Sequence, residues 1–357
     1  MSHSTAPDAR SHRRRRRALA ATLAALVAVP AAALTSAAAE PTAEPTPLAA
    51  ADFRGVNWAM PGDNFTDDPV VPEGLSESDS YDTVKAKAAA VIEGFASTID
   101  ANTVRLPINF DSVPGTAWGD RYAGAVDAAT EAGFNVILSM WEGNSPNGRI
   151  DDMNGFNAMW DAVVDRWGSN SRVHFELMNE PHGYSAGDWA NIAATWIANR
   201  PEVPRNRIFV SGSGFNQDVT GVCADSRLDG TYLSLHSYTF FHGEMTYDQW
   251  MNTLAARIGN CGSRTVLDEF GAPTDDGRNY NDANSTDNFV RYIRAATDTV
   301  RNHDMGAVYW PALGGKHTQR PDYDWYSLYA LEGSGTNLTL RVRSTSMVDR
   351  LHHAWGI

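Results

Sequence analysis

Short apolar runs recur along the chain from Asp52 onward, separated by longer stretches whose apolar positions return every three to four residues. The first pattern is that of buried strands, and the second that of helices burying one face. Strands are expected at Phe53–Trp58, Thr103–Pro107, Asn135–Trp141, Val173–Met178, Arg207–Ser211, Tyr232–His236, Thr265–Glu269 and Ala307–Trp310. Helices are expected near Thr83–Asp100, Tyr122–Gly133, Phe156–Trp167, Asp188–Asn199, Asp248–Gly259 and Thr286–Asn302. The stretch Phe215–Asp229 reads mostly as loop, and a last helix over Thr345–His353 is expected to pack against the outside. Alternating strands and helices imply βα units around a parallel sheet. Eight strands without a dinucleotide glycine fingerprint after the first favour a closed (β/α)8 TIM barrel over an open doubly wound sheet. No second domain or internal repeat is apparent.

The N-terminal pattern differs. Arg13–Arg17 form a basic block, an Ala/Leu/Val run follows from Ala18 to Leu34, and Ala37–Ala39 supply small residues for a peptidase. That order describes an export signal over residues 1–39, with the general and twin-arginine routes both open. Residues 40–51, rich in Pro, Thr, Ala and Glu, read as a short flexible leader. The catalytic domain is then 52–357, and the expected location is extracellular.

Without residues 1–39 the chain carries 23 basic against 42 acidic side chains, a formal charge of −19. Nucleic acid and anionic membranes are poor partners for such a surface, and a soluble, monomeric protein acting on an uncharged or cationic substrate fits it better. Cys223 and Cys261 are the two cysteines, expected outside the cell to form one disulfide. No cofactor or catalytic metal is expected, since histidines and carboxylates do not gather at ligand spacing within the fold.

In a barrel the carboxyl ends of the strands share one mouth. Reading the chain this way brings together Trp58, Arg105, Asn109, Trp141, Glu142, Asn179, Glu180, His236, Tyr238, Glu269 and Trp310, with His182 close behind Glu180. Glu180 and Glu269 each follow a strand-like run, in FELMNEP and TVLDEFG. Two carboxylates delivered to one rim are what retaining sugar hydrolysis requires, one as acid/base and one as nucleophile. Tryptophans stack on sugar faces while amides, imidazoles and carboxylates address hydroxyls. Arg105 and Tyr238 suit the support of Glu269, Asn179 a substrate hydroxyl, and His236 the substrate or the acid. Glu176 lies inside its strand, where an ion pair or interior hydrogen bond is the default. Alternation turns Asp268 away from the mouth.

These segments, in order, carry a resemblance. FRGVNW, NTVRLPIN, MNEP, LHSY, DEFG and VYWPA cover about residues 52–315, and the chain resembles glycoside hydrolase family 5, the cellulase-like family of (β/α)8 retaining hydrolases. The resemblance implies Glu180 as acid/base, Glu269 as nucleophile, Arg105 and Tyr238 as its supports, Asn179 as the amide at the sugar's 2-hydroxyl, His236 as a subsite histidine and Trp310 as the aromatic platform. One departure is that many endoglucanases of the family end the third strand with a histidine, where this chain has Trp141-Glu142. The chain looks closer to a secreted bacterial branch that includes exo-acting enzymes on galactofuranosides or arabinofuranosides. An endo-β-1,4-glucanase or β-mannanase is the alternative, and a noncatalytic carbohydrate binder on the same barrel is opposed by the retained glutamate pair. The long connections Ala59–Tyr81, Trp141–Asn154 and Ala312–Tyr326 are candidates for the cleft walls.

Overall fold

The computed structural model of the protein describes residues 47–143 and 146–357, so the expected signal and most of the leader lie outside the described residues. Eight parallel strands pair in sequence order and close on themselves. They are β1 (Arg54–Pro61), β2 (Thr103–Ile108), β3 (Asn135–Met140), β4 (Val173–Glu176), β5 (Ile208–Ser211), β6 (Tyr232–Ser237), β7 (Thr265–Phe270) and β8 (Gly306–Gly315). Closure is made by β1 on β8, with Gly55 opposite Val308, and this excludes the open sheet. The fold is a single (β/α)8 barrel.

Around it run α1 (Tyr81–Ile99), α2 (Gly119–Glu131), α3 (Met153–Trp167), α4 (Ala186–Asn199), the single turn α5 (Thr220–Cys223), α6 (Tyr247–Ile258), α7 (Asn288–Asn302) and α8 (Thr345–Trp355). Their starts are written locally. Ser80, Asp152, Ser185, Asp287 and Ser344 each accept a backbone N–H from the first turn of the helix they precede. Thr246 and Gln249 form a reciprocal capping box on α6. Such caps satisfy donors that the helix itself leaves unpaired, each worth about 1 kcal/mol.

Four departures from the sequence expectation matter. Strand β4 stops at Glu176 rather than Met178, and β8 runs on to Gly315 rather than ending at Trp310. The stretch after β5, expected as loop, contains α5 and a 3-10 turn at Ser226–Leu228. An antiparallel hairpin of β9 (Tyr329–Ser334) and β10 (Asn337–Val342) was not anticipated at all. It packs against α1, where Leu340 fills the space above Gly94 and the Tyr329 and Thr98 hydroxyls pair at 2.7 Å. Cys223 and Cys261 form the expected disulfide, joining α5 to the turn after α6.

The barrel interior is layered. Its floor is apolar, built from Phe53, Ile137, Phe209, Tyr232, Val266 and Val308, with Leu48 and Ala50 packed against them. The neutral ring of His174 sits edge-on to Phe53 at 4.9 Å, its pKa pulled down to about 3 by burial. Leu48 and Ala50 belong to the expected leader, so ordered packing begins ahead of Asp52. Between barrel and helices, Trp118, Trp160, Trp189, Trp196 and Trp250 are wholly buried. An aromatic of this size is worth at most roughly 4–6 kcal/mol through the area it removes from water. Their indole N–H groups are used where the fold allows: Trp118 donates to Val70 O and Trp189 to Ser211 O.

Candidate active site

Above the apolar floor the inward positions turn polar, and Arg105 from β2 organises them. Its Nε and Nη2 donate to Glu176 Oε2 and Oε1 at 2.6 and 2.7 Å, and its Nη1 donates to Glu269 Oε1 at 2.6 Å. The same guanidinium reaches Asn57 Oδ1, Ser139 Oγ and Asn179 Oδ1 at 2.8–2.9 Å. A planar fork of five N–H donors suits such a junction, where a lysine would bring three from a single point. Arg105 is 1% exposed, and its carboxylate partners hold it firmly cationic against the cost of burial.

One of the barrel's register shifts works to the benefit of this site. Between Leu235 opposite Leu267 and His236 opposite Glu269 the β6–β7 register shifts by one residue. A bulge of this kind lets consecutive side chains share one face. Asp268 therefore does not turn outward. It lies inside the barrel beneath Glu269 and accepts from Ser234 Oγ at 2.8 Å and from Leu235 N at 3.1 Å.

Glu180 and Glu269 meet at the mouth. With His236 they place one ligating atom each within 4.8 Å of one another. His236 Nδ1 lies 2.9 Å from Glu180 Oε1, and Tyr238 donates its hydroxyl to Glu269 Oε2 at 3.0 Å. The two carboxyls differ in surroundings. Burial raises Glu180 well above the ordinary carboxyl range, and the charges of Glu269 and Glu142 raise it further. Burial also lifts Glu269, to about 7, but Arg105 and Tyr238 act against the rise. His236 is held neutral by burial and by Arg105.

A cavity of about 990 Å³ opens over this pair. Trp141, Glu180, His182, Tyr238, Glu269 and Trp310 all border it. Trp141 and Trp310 stack with centroids 5.6 Å apart, and Phe65 meets Trp141 edge-on at 4.6 Å. His182 stacks on Phe215 at 4.1 Å, and its Nδ1 lies 3.0 Å from Glu180 O. Each of the three long connections contributes a wall: Asp63 and Phe65 from the first, Pro146 from the second, and Lys316 through Tyr326 from the third.

That third wall is tied down at its base. Asp324 accepts the N–H groups of Lys316 and Tyr326 at 2.7 and 2.8 Å. Ser327 Oγ donates to Gly314 O, Leu328 N to Pro311 O, and Thr274 Oγ1 to Ser327 O. Gly314 has φ +74°, and a Cβ there would collide with Ala59 O, so the turn leaving β8 requires glycine.

Three expected site residues are placed elsewhere. Trp58 follows inward-facing Asn57 and so points outward; it is fully buried between β1 and α1 against Phe95, with Nε1 donating to Glu73 O. Asn109 spends its amide on the neighbouring loop, donating to Asp68 O and accepting from Ser112 Oγ. Glu142 lies outside the cavity lining and is 8% exposed, with its pKa raised to about 7 by burial. Asn57 was missed by the sequence reading, as were Phe215, Phe240, Phe241, Lys316, Trp325 and Tyr326 of the cleft. The signals were present: Asn57 has the inward parity of β1, and the TFF run directly follows LHSY.

Among the described residues two groups have donor atoms close enough for a cation, Glu180/His236/Glu269 and Glu176/His236/Asp268. Arg105 already donates to Glu176 and Glu269, so a divalent ion in either group would sit against a guanidinium. The donor set does not fit a resident metal.

Comparison with known proteins agrees with this geometry. Residues 66–312 match the model of the family described as Cellulase (glycosyl hydrolase family 5). A manganese dependent endoglucanase, Eg5A, of Phanerodontia chrysosporium is 30% identical over 138 residues, which is 34% of this chain and 35% of that relative's length. An endocellulase from Pyrococcus horikoshii, solved with cellotetraose, superposes with a TM-score of 0.58 at 16% identity, covering 85% of this chain and 92% of its own. An endo-β-1,4-glucanase from Xanthomonas axonopodis pv. citri superposes with a TM-score of 0.52 at 18% identity, covering 85% and 99%. At these identities the superpositions speak to the fold alone. With the family model matched across most of the barrel, the chain belongs to the cellulase family, glycosyl hydrolase family 5.

Proposed function

We propose that the protein is a secreted retaining glycoside hydrolase that cleaves β-linked glucan chains, with Glu269 as nucleophile and Glu180 as acid/base. The observation that carries this reading is the close approach of a buried and a partly buried carboxyl, within 4.8 Å at their nearest ligating oxygens, in unequal surroundings. Retaining hydrolases hold their carboxyls about 5–5.5 Å apart, whereas inverting ones leave room for a water.

In the first step Glu269 attacks the anomeric carbon while Glu180 passes its proton to the departing oxygen. Arg105 and Tyr238 favour the ionised form of Glu269 that attack needs. Burial keeps the proton on Glu180 until it is required. In the second step Glu180, now ionised, takes a proton from water, and the resulting attack frees Glu269. Asn179, held by Arg105 through Oδ1, keeps an Nδ2 without a hydrogen-bond partner among the described residues, a donor suited to the sugar's 2-hydroxyl. The stacked pair Trp141/Trp310 provides an apolar platform for a pyranose face.

The glucan assignment is supported by the family and by the endoglucanase relatives. The furanoside reading raised by Trp141-Glu142 gains nothing from them, and Glu142 does not border the cavity. Secretion is supported by the basic and apolar N-terminal run and by the disulfide. Among the described residues no helix is long and apolar enough to cross a membrane.

The deciding experiment is a hydrolysis screen on cellulose, β-glucan and mannan with aryl β-cellobioside, β-mannoside, β-galactofuranoside and α-arabinofuranoside, reading the product anomer by NMR. Retention with cleavage of β-glucosides is the expected result. Inversion would overturn the carboxylate roles, and turnover of furanosides alone would overturn the substrate.

A further inference from the structure

The two ends of the cleft differ in chemistry. On the side formed by the connections after β1 and β8, the lining mixes Phe65, Trp325 and Tyr326 with Asp63, Lys316, Gln319 and Asp324. On the side formed by the connections after β4, β5 and β6, it is a run of rings. Tyr238 stacks on Phe240 at 4.8 Å, Phe240 meets Phe241 at 4.7 Å, Phe241 stacks on Phe215 at 5.4 Å, and Phe215 stacks on His182 at 4.1 Å. Phe240, Phe241 and Phe215 are 63%, 44% and 38% exposed, three of the six large hydrophobic side chains exposed among the described residues. Half of that apolar exposure is thus gathered on one wall of one cleft, where chance would scatter it.

The position of this wall says what meets it. Glu180 closes the β4 end and is bracketed by His236 and His182, so the oxygen it protonates lies on the same side as the rings. The glycone lies on the other side, over Trp141 and Trp310. A sugar in the leaving position could lay one face on a ring, as at Trp141 and Trp310, but three phenylalanines give its hydroxyls no donor or acceptor to replace their water. We propose that this wall is an aglycone site for an apolar aryl or alkyl group, and that the protein hydrolyses amphiphilic glycosides as well as oligosaccharides. The inference rests on the Glu180/Glu269 reading above. The reaction balances as before: the bond from C1 to the aglycone oxygen breaks as C1 bonds to Glu269, and the aglycone leaves as an alcohol or phenol carrying the proton of Glu180. Water then supplies the hydroxyl that frees the sugar and the proton that restores Glu180.

A series of n-alkyl β-cellobiosides, ethyl to octyl and below micellar concentration, tests the wall without changing the chemistry, because primary alcohols differ little in acidity. Wild-type kcat/KM is expected to climb by up to roughly fourfold per buried methylene. The climb flattens in Phe215→Ala and Phe241→Ala. A flat wild-type series, with cellotetraose cleavage falling in both variants, would mean that the wall serves a sugar and would overturn the inference. If no cellobioside is turned over, the hydrolase reading fails separately, and calorimetric titration with octyl and ethyl cellobioside still reads the wall. Tighter binding of the octyl compound by tenfold or more supports the site; equal or undetectable binding of both overturns it.

Discussion

Arg105 Nη1 lies 2.6 Å from Glu269 Oε1, while the rest of the same guanidinium is committed to Glu176 below it. The residue proposed as nucleophile is thus positioned by a side chain that is itself fixed twice. Breaking a buried pair by neutralising one member leaves the other uncompensated, at a cost of about 3–5 kcal/mol. Glu176→Gln is expected to lower Tm by on the order of 10 °C. It also removes a charge that raises Glu269, so the acid limb of kcat/KM moves to lower pH. An unchanged Tm in calorimetry would count against Arg105 as the keystone of this layer.

Glu269→Gln should cost at least roughly 10³-fold in kcat, as losses of covalent nucleophiles do. Glu180→Ala should behave differently, losing roughly 10²–10⁴-fold on substrates with poor leaving groups and much less on activated aryl glycosides. Steady-state rates on an aryl series and on cellotetraose separate the two roles. Equal losses across the series for Glu180→Ala would refute its assignment as acid.

Activity should follow a bell-shaped pH profile whose acid limb, near about 7, reports ionisation of Glu269, and whose alkaline limb reports loss of the Glu180 proton. The charge of Glu142 is among the causes that raise Glu180. Glu142→Gln is therefore expected to bring the alkaline limb down by on the order of one pH unit.

The same substitution has a stability signature. The folded-state pKa of Glu142 is raised from 4.5 to about 7, so its ionisation opposes folding. The penalty is absent below the unfolded value, grows as pH rises between the two, and is complete above about 7. Glu142→Gln should then stabilise the protein by up to about 3 kcal/mol at pH 8 and leave it nearly unchanged at pH 4. Urea unfolding at both pH values checks the sign; an equal effect at the two would remove the buried charge from the account.

Trp141→His takes one ring from the platform shared with Trp310 and leaves the edge of Phe65 without its partner. Turnover of cello-oligosaccharides is expected to fall relative to that of the furanosides, read as ratios of kcat/KM. An unaltered profile would show that the end of β3 does not choose the sugar.

The barrel was legible because its strands are buried on both faces and so appear as apolar runs, and Glu180 and Glu269 were legible because each follows such a run. The hairpin Tyr329–Val342 escaped because half of its residues face solvent, which gives only the weak alternation of NLTLRV around a glycine turn. Trp58 was misplaced by reading strand ends without parity: Asn57, one step earlier, holds the inward position and donates to Asp268 O. Asp268 failed the opposite way, since parity was applied where a register shift suspends it. No local signal marks a bulge between two strands, because it is a property of the pair. Phe240 and Phe241 were visible as letters, but their role depends on His182 and Phe215, which other strands deliver.

The connection after β8 is braced twice: Asp324, Ser327 and Gly314 close its base, and Arg320 and Tyr323 reach Asp275 in the connection after β7. Lys316, Thr318, Gln319 and Trp325, which face the cleft, ride on that closed loop. None of these ties involves Arg105, Glu176 or the two carboxyls, so what the wall presents to a ligand can be rewritten while they stay untouched. Substrate range and bond-breaking chemistry are thereby free to evolve at different speeds within one chain.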